Sequence, residues 1–247
     1  MPRTSLKLPL FERAAGIRER TAIVAPEGAF NFGELLDASG WVATRLLAGR
    51  DDLDSERICY LVPPGWHHVA VQWGIWRSGG LAVPLATSHP AAELAYVLDD
   101  ASPEAVVAHP DLIDRVSGVA AERQLPVLQT PALLAEGPTG VLPDLAADRS
   151  AMMLYTSGTT GRPKGAMLTH GNLTANVSQM KLWFPNLSPG EEKVLGVLPL
   201  FHVFAMTGVM NFAVATGAEM ILLPRYELEQ TLKTINKKAP TLFPAVP

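Results

Sequence analysis

Short apolar runs alternate with segments of helical spacing along most of this chain, and the alternation limits the folds it can adopt. The runs have the length of buried strands, and the segments between them place apolar residues three and four positions apart. In chain order the patterns predict a hairpin over 22–32, a helix over 32–47, a strand over 57–62, a helix over 66–78, a strand over 81–85, a helix over 90–98 and strands over 105–108, 151–155 and 165–168. Such alternation predicts an α/β fold, in which a layered, largely parallel sheet is flanked by helices.

The composition excludes several classes of protein. The chain has 247 residues, 48% of them hydrophobic, so it can bury a core without a disulfide or a structural metal. Its net charge of −4 argues against a nucleic-acid partner. The single cysteine, Cys59, lies in an apolar run and predicts a buried thiol in a reducing compartment. Residues 1–7 lack the apolar stretch of a signal peptide, and polar residues interrupt the most apolar window, 205–223. We therefore expect a cytoplasmic protein without a transmembrane segment.

Residue usage changes near position 150. Every Asp precedes residue 149, and seven of the eight Met follow residue 150. Arg is the more frequent basic residue before position 150, and Lys is the more frequent one after it. The net charge is −7 over 1–150 and +3 over 151–247, so we divide the chain into these two portions. A ligand-binding segment kept free of Asp would explain the charge. The joining of two segments of different origin would also explain the use of Arg, Lys and Met.

The segment most indicative of chemistry lies between the last two predicted strands and reads TSGTTGRPKG over 156–165. Glycines let backbone N–H groups converge on an anion, hydroxyl groups add donors, and Lys164 adds a positive charge, so the segment suits a phosphate group. It differs from a Walker loop because Pro163 precedes the lysine, Gly165 follows it, and the chain returns to a strand. The alternative is a glycine-rich hairpin turn with an exposed lysine, although such a turn needs only two residues.

Residues 155–165, YTSGTTGRPKG, resemble the phosphate-loop signature of the adenylate-forming enzymes, which include acyl-CoA synthetases, luciferases and the adenylation domains of peptide synthetases. Two weaker matches precede it. Residues 32–35 are similar to the family's aromatic-x-E-L helix start, and residues 78–85 to its G-x-x-x-V-P-L segment. The resemblance spans most of the chain. It implies the large α/β N-terminal domain of such an enzyme, in which 151–247 begins the acyl- and nucleotide-binding portion and the C-terminal domain is missing.

The segment PLFHVFAM, over 199–206, resembles the next motif of the family. In acyl-CoA synthetases the histidine of this motif lies beside the acyl pocket and the bound adenylate. The resemblance therefore implies that His202 contacts the substrate, and that the substrate is a carboxylic acid rather than an amino acid. Phe201, Phe204 and Met206 suggest a fatty acyl chain, because an apolar lining suits an apolar tail. A hydrogen-bonded core histidine is the alternative for His202.

The resemblance implies a ligase reaction in two steps. A carboxylate attacks the α-phosphate of ATP, with Mg²⁺, to give an acyl adenylate and pyrophosphate, and the thiol of CoA then displaces AMP. Donors and cations must stabilise the leaving pyrophosphate. The expected catalytic residues are Lys164 and His202, and the expected acid-binding residues are His202, Phe201 and Phe204. The expected nucleotide-binding residues are Thr156, Ser157, Gly158, Thr159, Thr160, Gly161 and Lys164. No protein ligand of a metal ion is identified.

Later motifs of the family are missing from these residues. The resemblance leads us to expect an aromatic-Gly-x-Thr-Glu segment, an Asp for the ribose and a second catalytic lysine, and none of them follows Lys164. We therefore expect the N-terminal part of an acid–CoA ligase that is inactive alone and self-associates through uncovered apolar surface. Two alternatives stay open. One is a phosphate- or nucleotide-binding module without turnover, and the other is an engineered or recombined fragment without activity of its own.

Other histidines and the tryptophans are expected to be structural. His67 and His68 are adjacent and would point about 100° apart on a helix, so they do not easily share a metal ion. Both are expected at the surface or partly buried. Trp66, Trp73 and Trp76 have helical spacing and are expected in the core.

Overall fold

The computed structural model describes residues 8–156 and 162–246. The helices are α1 (Pro9–Ala15), α2 (Phe32–Leu47), α3 (Trp66–Arg77), α4 (Ala91–Ala101), α5 (Ile113–Ala121), α6 (Thr130–Leu134), α7 (His170–Trp183), α8 (Val203–Ala205), α9 (Phe212–Thr216) and α10 (Leu228–Lys238), with a 3₁₀ turn at Pro110–Leu112 and a π-helical turn at Met206–Asn211. The strands are β1 (Thr21–Ala25), β2 (Gly28–Asn31), β3 (Arg57–Leu61), β4 (Leu81–Pro84), β5 (Ala105–Ala108), β6 (Val127–Gln129), β7 (Ser150–Thr156), β8 (Lys164–Thr169), β9 (Lys193–Gly196) and β10 (Glu219–Leu222). These elements form two compact units, whose boundaries fall inside α2, α3 and α7 and between β3 and α3.

Unit 1 comprises the described residues of Asp37–Pro63 and Ala70–His170. Its sheet has six strands in the order β6-β5-β3-β4-β7-β8. Neighbouring strands are parallel except for β7 and β8, which pair antiparallel at one edge. Strands β4 and β5 are buried along their whole length, which is why they read as unbroken apolar runs in the sequence. The compositional change near residue 150 lies within this unit, and the division there stays a prediction.

The core of unit 1 forms where its strands pack against α4 and α5. Leu94 of α4 and Val116 of α5 belong to one buried cluster with Cys59 of β3 and Val83 of β4. Cys59 is a free, fully buried thiol, as predicted, and burial raises its pKa. The cluster includes Met153 of β7, so it gives that strand a close-packed support.

Unit 2 comprises the described residues of Lys7–Leu36, Pro64–Val69 and Gly171–Pro247. Its sheet has four strands in the order β2-β1-β10-β9. The predicted hairpin β1–β2 is antiparallel, and the other two pairs are parallel. The sheet is therefore mixed and largely parallel, as in unit 1, which confirms the predicted fold class.

Reciprocal hydrogen bonds explain why α2 begins where the hairpin ends. The backbone N–H of Glu34 donates to Oδ1 of Asn31 at 2.8 Å, and the backbone N–H of Asn31 donates to Oε2 of Glu34 at 2.6 Å. This arrangement is a capping box, which satisfies two N–H groups that the first turn of a helix leaves unpaired. The predicted helix start at Phe32 is confirmed.

The apolar window 205–223 divides into helical turns and a strand. The π-helical turn continues α8 into α9, and α9 ends at Gly217, whose φ of +73° lies in the left-handed region that favours glycine. Strand β10 follows and is buried except at Glu219. Across the described ranges, none of the helices combines the length and the apolarity needed to cross a membrane.

One histidine prediction is wrong. His68 is buried, with only 2% of its surface exposed, whereas His67 is partly buried as expected. The reason is that α3 is covered on almost every side, so even its polar positions are enclosed. Trp66, Trp73 and Trp76 lie in the core, as predicted.

Candidate functional site

The antiparallel pair β7–β8 carries the two ends of the predicted phosphate loop. Thr156 is paired with Lys164 across the two strands, and Tyr155 with Gly165. Thr156 and Lys164 are both exposed, so a hydroxyl group and an ammonium group stand side by side where a ligand can reach them. At Gly165 a β-carbon would lie 2.9 Å from Cγ of Met153, so any larger residue there would displace the Met153 side chain.

The structure therefore places two of the seven predicted nucleotide-binding residues and brings them together. These are Thr156 and Lys164. The other predicted residues, Ser157, Gly158, Thr159, Thr160 and Gly161, lie outside the described residues. A threonine hydroxyl beside a lysine is a donor set that fits a phosphate oxygen.

Two tyrosine hydroxyl groups connect α4 to the residues on either side of the loop. The hydroxyl of Tyr96, on α4, donates to the carbonyl oxygen of Pro163 at 2.8 Å. The hydroxyl of Tyr155, on β7, donates to the Asp100 carboxylate, on α4, at 2.7 Å. Burial, followed by the hydrogen bond to Asp100, raises the pKa of Tyr155 above its usual value, so this hydroxyl keeps its proton. The sequence analysis missed both tyrosines as site residues.

The other end of β7 is held by an ion pair. Arg149 donates to both carboxylate oxygens of Asp52, with a distance of 2.6 Å between Nη1 and Oδ2. It also donates to the carbonyl oxygen of Gly79 at 3.0 Å, and its own carbonyl oxygen accepts the backbone N–H of His170 at 3.0 Å. Bidentate pairing of this kind fixes orientation as well as charge. The start of β7 and the end of β8 are thereby joined.

His170 has a structural role, as the sequence predicts. Its side chain is buried, and its ring meets the Trp76 ring edge-on, with 5.7 Å between the ring centroids. Burial, and next the positive charge of Arg149, lower the pKa of His170 to about 4. The imidazole is therefore neutral near pH 7.

In unit 2, the predicted acid-binding residues surround the start of α8. His202 precedes the helix in an extended conformation and is exposed, and the Phe201 ring lies 4.5 Å from the His202 ring between centroids. Phe204 is 49% exposed, so it can meet an apolar ligand. Met206 is fully buried and belongs to the core, so it does not line a surface site. Exposure also argues against the alternative of a core histidine at His202.

The π-helical turn holds a residue that the sequence analysis did not assign to a site. Asn211 is fully buried, and neither its side-chain nitrogen nor its oxygen has a hydrogen-bond partner among the described residues. π-helical turns are frequent at functional sites, and unpaired buried amides are costly. The available signal was the polar Asn211 in an otherwise apolar window.

Metal-binding side chains are not grouped in the part of the chain that the structure describes. Across residues 8–156 and 162–246, no three His, Cys, Asp or Glu side chains lie close enough together to hold a metal ion.

Comparisons with known proteins agree with the fold and with the signature at the site. The chain matches the family model described as AMP-binding enzyme over residues 10–247. It is 36% identical over 260 residues to malonate–CoA ligase ACSF3, mitochondrial, of Mus musculus. That alignment covers 99% of this chain and 44% of the ligase. It is also 52% identical over 97 residues to a long-chain-fatty-acid–CoA ligase of Bacillus subtilis. This shorter alignment covers 39% of this chain and 17% of that ligase.

A solved structure supports the same assignment. ATP-bound MatB from Rhodopseudomonas palustris matches with a TM-score of 0.83 and 27% identity, over 96% of this chain and 49% of that one. The chain thus spans about half the length of the malonate–CoA ligase and of this MatB chain. Because the family match extends over nearly all of its residues, this chain belongs to the AMP-binding enzymes.

Proposed function

We propose that this chain provides the phosphate- and acid-binding part of an ATP-dependent acid–CoA ligase, which joins a carboxylic acid to AMP and then transfers the acyl group to CoA. The observation that carries the proposal is the exposed pair Thr156 and Lys164 at the end of β7 and β8. Family membership and the ATP-bound relative support the same nucleotide.

In the proposed reaction, the chain's own contribution to the first step is electrostatic. The ammonium group of Lys164 stabilises the negative charge that builds on pyrophosphate while the carboxylate attacks the α-phosphate. The Thr156 hydroxyl donates to a phosphate oxygen. Ser157, Gly158, Thr159, Thr160 and Gly161 supply further donors. Mg²⁺ bound with ATP would supply further positive charge to the phosphates, and no group of three potential metal ligands lies among the described residues.

The acid is proposed to bind beside His202. The partly buried ring of Phe201 and the exposed ring of Phe204 offer apolar contact area, which favours a fatty acid. The relative named as a long-chain-fatty-acid ligase supports this choice. Malonate is the second candidate, because the relative named as a malonate–CoA ligase matches almost the whole chain. Titration of the ATP-loaded protein with palmitate and with malonate separates the two acids.

The nucleotide assignment is tested by Lys164→Ala. Loss of a charge-assisted hydrogen bond, worth about 1.5 to 3 kcal/mol, predicts roughly 10- to 150-fold weaker binding of ATP and of pyrophosphate in isothermal titration. Lys233→Ala, which removes an exposed lysine of α10, is the matched control and should bind as the unchanged protein does. Equal affinity in the Lys164 variant would refute the assignment.

We further propose that these 247 residues bind the substrates without completing turnover. The support is that they contain neither the later adenine- and ribose-binding motifs nor the second lysine that the family resemblance implies. Pyrophosphate release with ATP and an acid tests this, and steady release by the chain alone would contradict it. A nucleotide-binding module without an acid substrate is the alternative, and it predicts ATP binding with no response to any acid.

The compositional change near residue 150 supports a second proposal, that 1–150 and 151–247 have different origins. Different codon usage in the gene on the two sides of the junction is expected, and uniform usage would count against a join.

Location and assembly are proposed on separate grounds. We propose a cytoplasmic location, which the lone, buried cysteine supports because a free thiol is typical of a reducing compartment. The exposed apolar side chains of Leu182 and Trp183 support self-association. Light scattering tests the second point, and a clean monomer would contradict it.

A further inference from the structure

Helix α4 contacts the end of the β7–β8 pair from one face. Tyr96 and Asp100 are four residues apart, so they lie on the same side of α4. One donates a hydrogen bond to the carbonyl oxygen of Pro163, next to Lys164, and the other accepts a hydrogen bond from Tyr155, next to Thr156. A single helix face therefore holds both strands at the point where the pair ends.

The two tyrosine rings are themselves well anchored. Tyr96 and Tyr155 both pack against the buried cluster of unit 1 that contains Leu94 and Val97 of α4. A tyrosine has only two rotatable side-chain bonds, so a ring fixed in the core also fixes the position of its hydroxyl group. The bond to Asp100 is charge-assisted, and such bonds are stronger than bonds between neutral groups.

We propose that Tyr96 and Tyr155 are positioning residues, which hold Thr156 and Lys164 in the arrangement that receives a nucleotide phosphate. The proposal rests on the proposed function. Its physical basis is pre-organisation: a donor pair that is already in place loses less conformational freedom when the ligand binds, so the affinity is higher. Neither tyrosine touches the phosphate. Their effect reaches the ligand through the backbone of Pro163 and through the strand that ends at Thr156.

The first test needs no nucleotide. Amide hydrogen exchange is measured at residues 154–156 and 164–166 in the unchanged protein, in Tyr96→Phe and in Tyr155→Phe. Each variant keeps the ring in the core and loses one hydrogen bond, so exchange there should be about 3- to 10-fold faster. Tyr226→Phe, at an exposed tyrosine of unit 2, is the control and should change nothing. Unaltered exchange in both test variants would overturn the proposal.

The second test measures nucleotide affinity in the same proteins. Each tyrosine variant should bind ATP and pyrophosphate about 3- to 10-fold more weakly while it still unfolds in a cooperative transition above the temperature of the titration. Asp100→Asn keeps an oxygen that accepts the Tyr155 hydroxyl and should bind as the unchanged protein does, whereas Asp100→Ala should resemble Tyr155→Phe. Tighter binding by Asp100→Ala would mean that Asp100 acts on the phosphate through its charge, and it would overturn the positioning role.

The outcomes separate the two proposals. If the unchanged protein binds neither ATP nor pyrophosphate, the proposed function fails, and the positioning role fails with it whatever the exchange rates show. If the unchanged protein binds ATP and both tyrosine variants bind it equally well, only the positioning role is wrong.

Discussion

Replacement of His170 by a residue that cannot take up a proton should remove a large part of the protein's sensitivity to mild acid. An unfolded chain protonates this imidazole near pH 6.5, whereas the folded protein protonates it only at about pH 4, because the ring is buried beside Trp76 and close to Arg149. Between these values the unfolded state binds more protons than the folded state. The stability that a neutral His170 provides is therefore complete above pH 6.5 and is lost as the pH falls towards 4.

The size of the effect follows from the two pKa values. Between pH 7 and pH 5, the free energy of unfolding should fall by about 2 kcal/mol through this residue alone. His170→Phe preserves a buried ring against Trp76, and His170→Gln is a smaller neutral replacement if phenylalanine does not fit. Urea unfolding at both pH values gives the difference for each protein. If the free energy of unfolding falls between pH 7 and pH 5 as much in the variants as in the unchanged protein, the reasoning is refuted.

Three further substitutions test the packing and the capping of helices. Gly74→Ala should destabilise the protein by about 1 to 3 kcal/mol in urea unfolding. The new β-carbon would lie 2.3 Å from Cγ1 and 2.4 Å from Cβ of Val42, and rotation of the valine side chain relieves only the contact with Cγ1. Gly118→Ala, at a helical glycine with nothing within 4 Å, should instead stabilise it by about 0.5 to 1 kcal/mol, and the same sign for both glycines would contradict the packing described. Glu34→Ala should cost about 1 kcal/mol by opening the capping box with Asn31, and a melting temperature equal to that of the unchanged protein would show that the box adds nothing.

Much of the fold follows from local pattern. The bounds of α2 follow from Asn31 and Glu34, which cap the helix, and from an apolar stripe that ends at Leu47. Strand β5 matches its apolar run at both ends. These elements could be predicted because the residues that determine them lie within a few positions of one another along the chain.

The pairing of strands depends on contacts that are distant in sequence. Strand β4 pairs with β7 through Ala82 and Met152, and no local pattern encodes that partner. Strand β6 has only three residues, so its apolar run is too short to predict a strand. The two units are likewise made of separate chain segments, whereas composition divides the chain only at one point, near residue 150.

The candidate site likewise contains residues that local sequence identifies and residues that only distant contacts identify. Thr156 and Lys164 could be identified from the sequence because a phosphate-binding segment concentrates its donors in a few consecutive residues. Tyr96 could not, because it is 67 residues away from the Pro163 carbonyl that it contacts. Asn211 likewise stands out only once its burial is known.

The antiparallel position of β8 affects how local opening can occur. Among the described strands, β8 is bonded only to β7, at the edge of an otherwise parallel sheet. Separation of β8 therefore breaks no hydrogen bond between the parallel strands, and it costs less free energy than global unfolding does. Lys164 thus lies on an edge strand of this sheet, which can detach and return while the remaining strands keep their pairing.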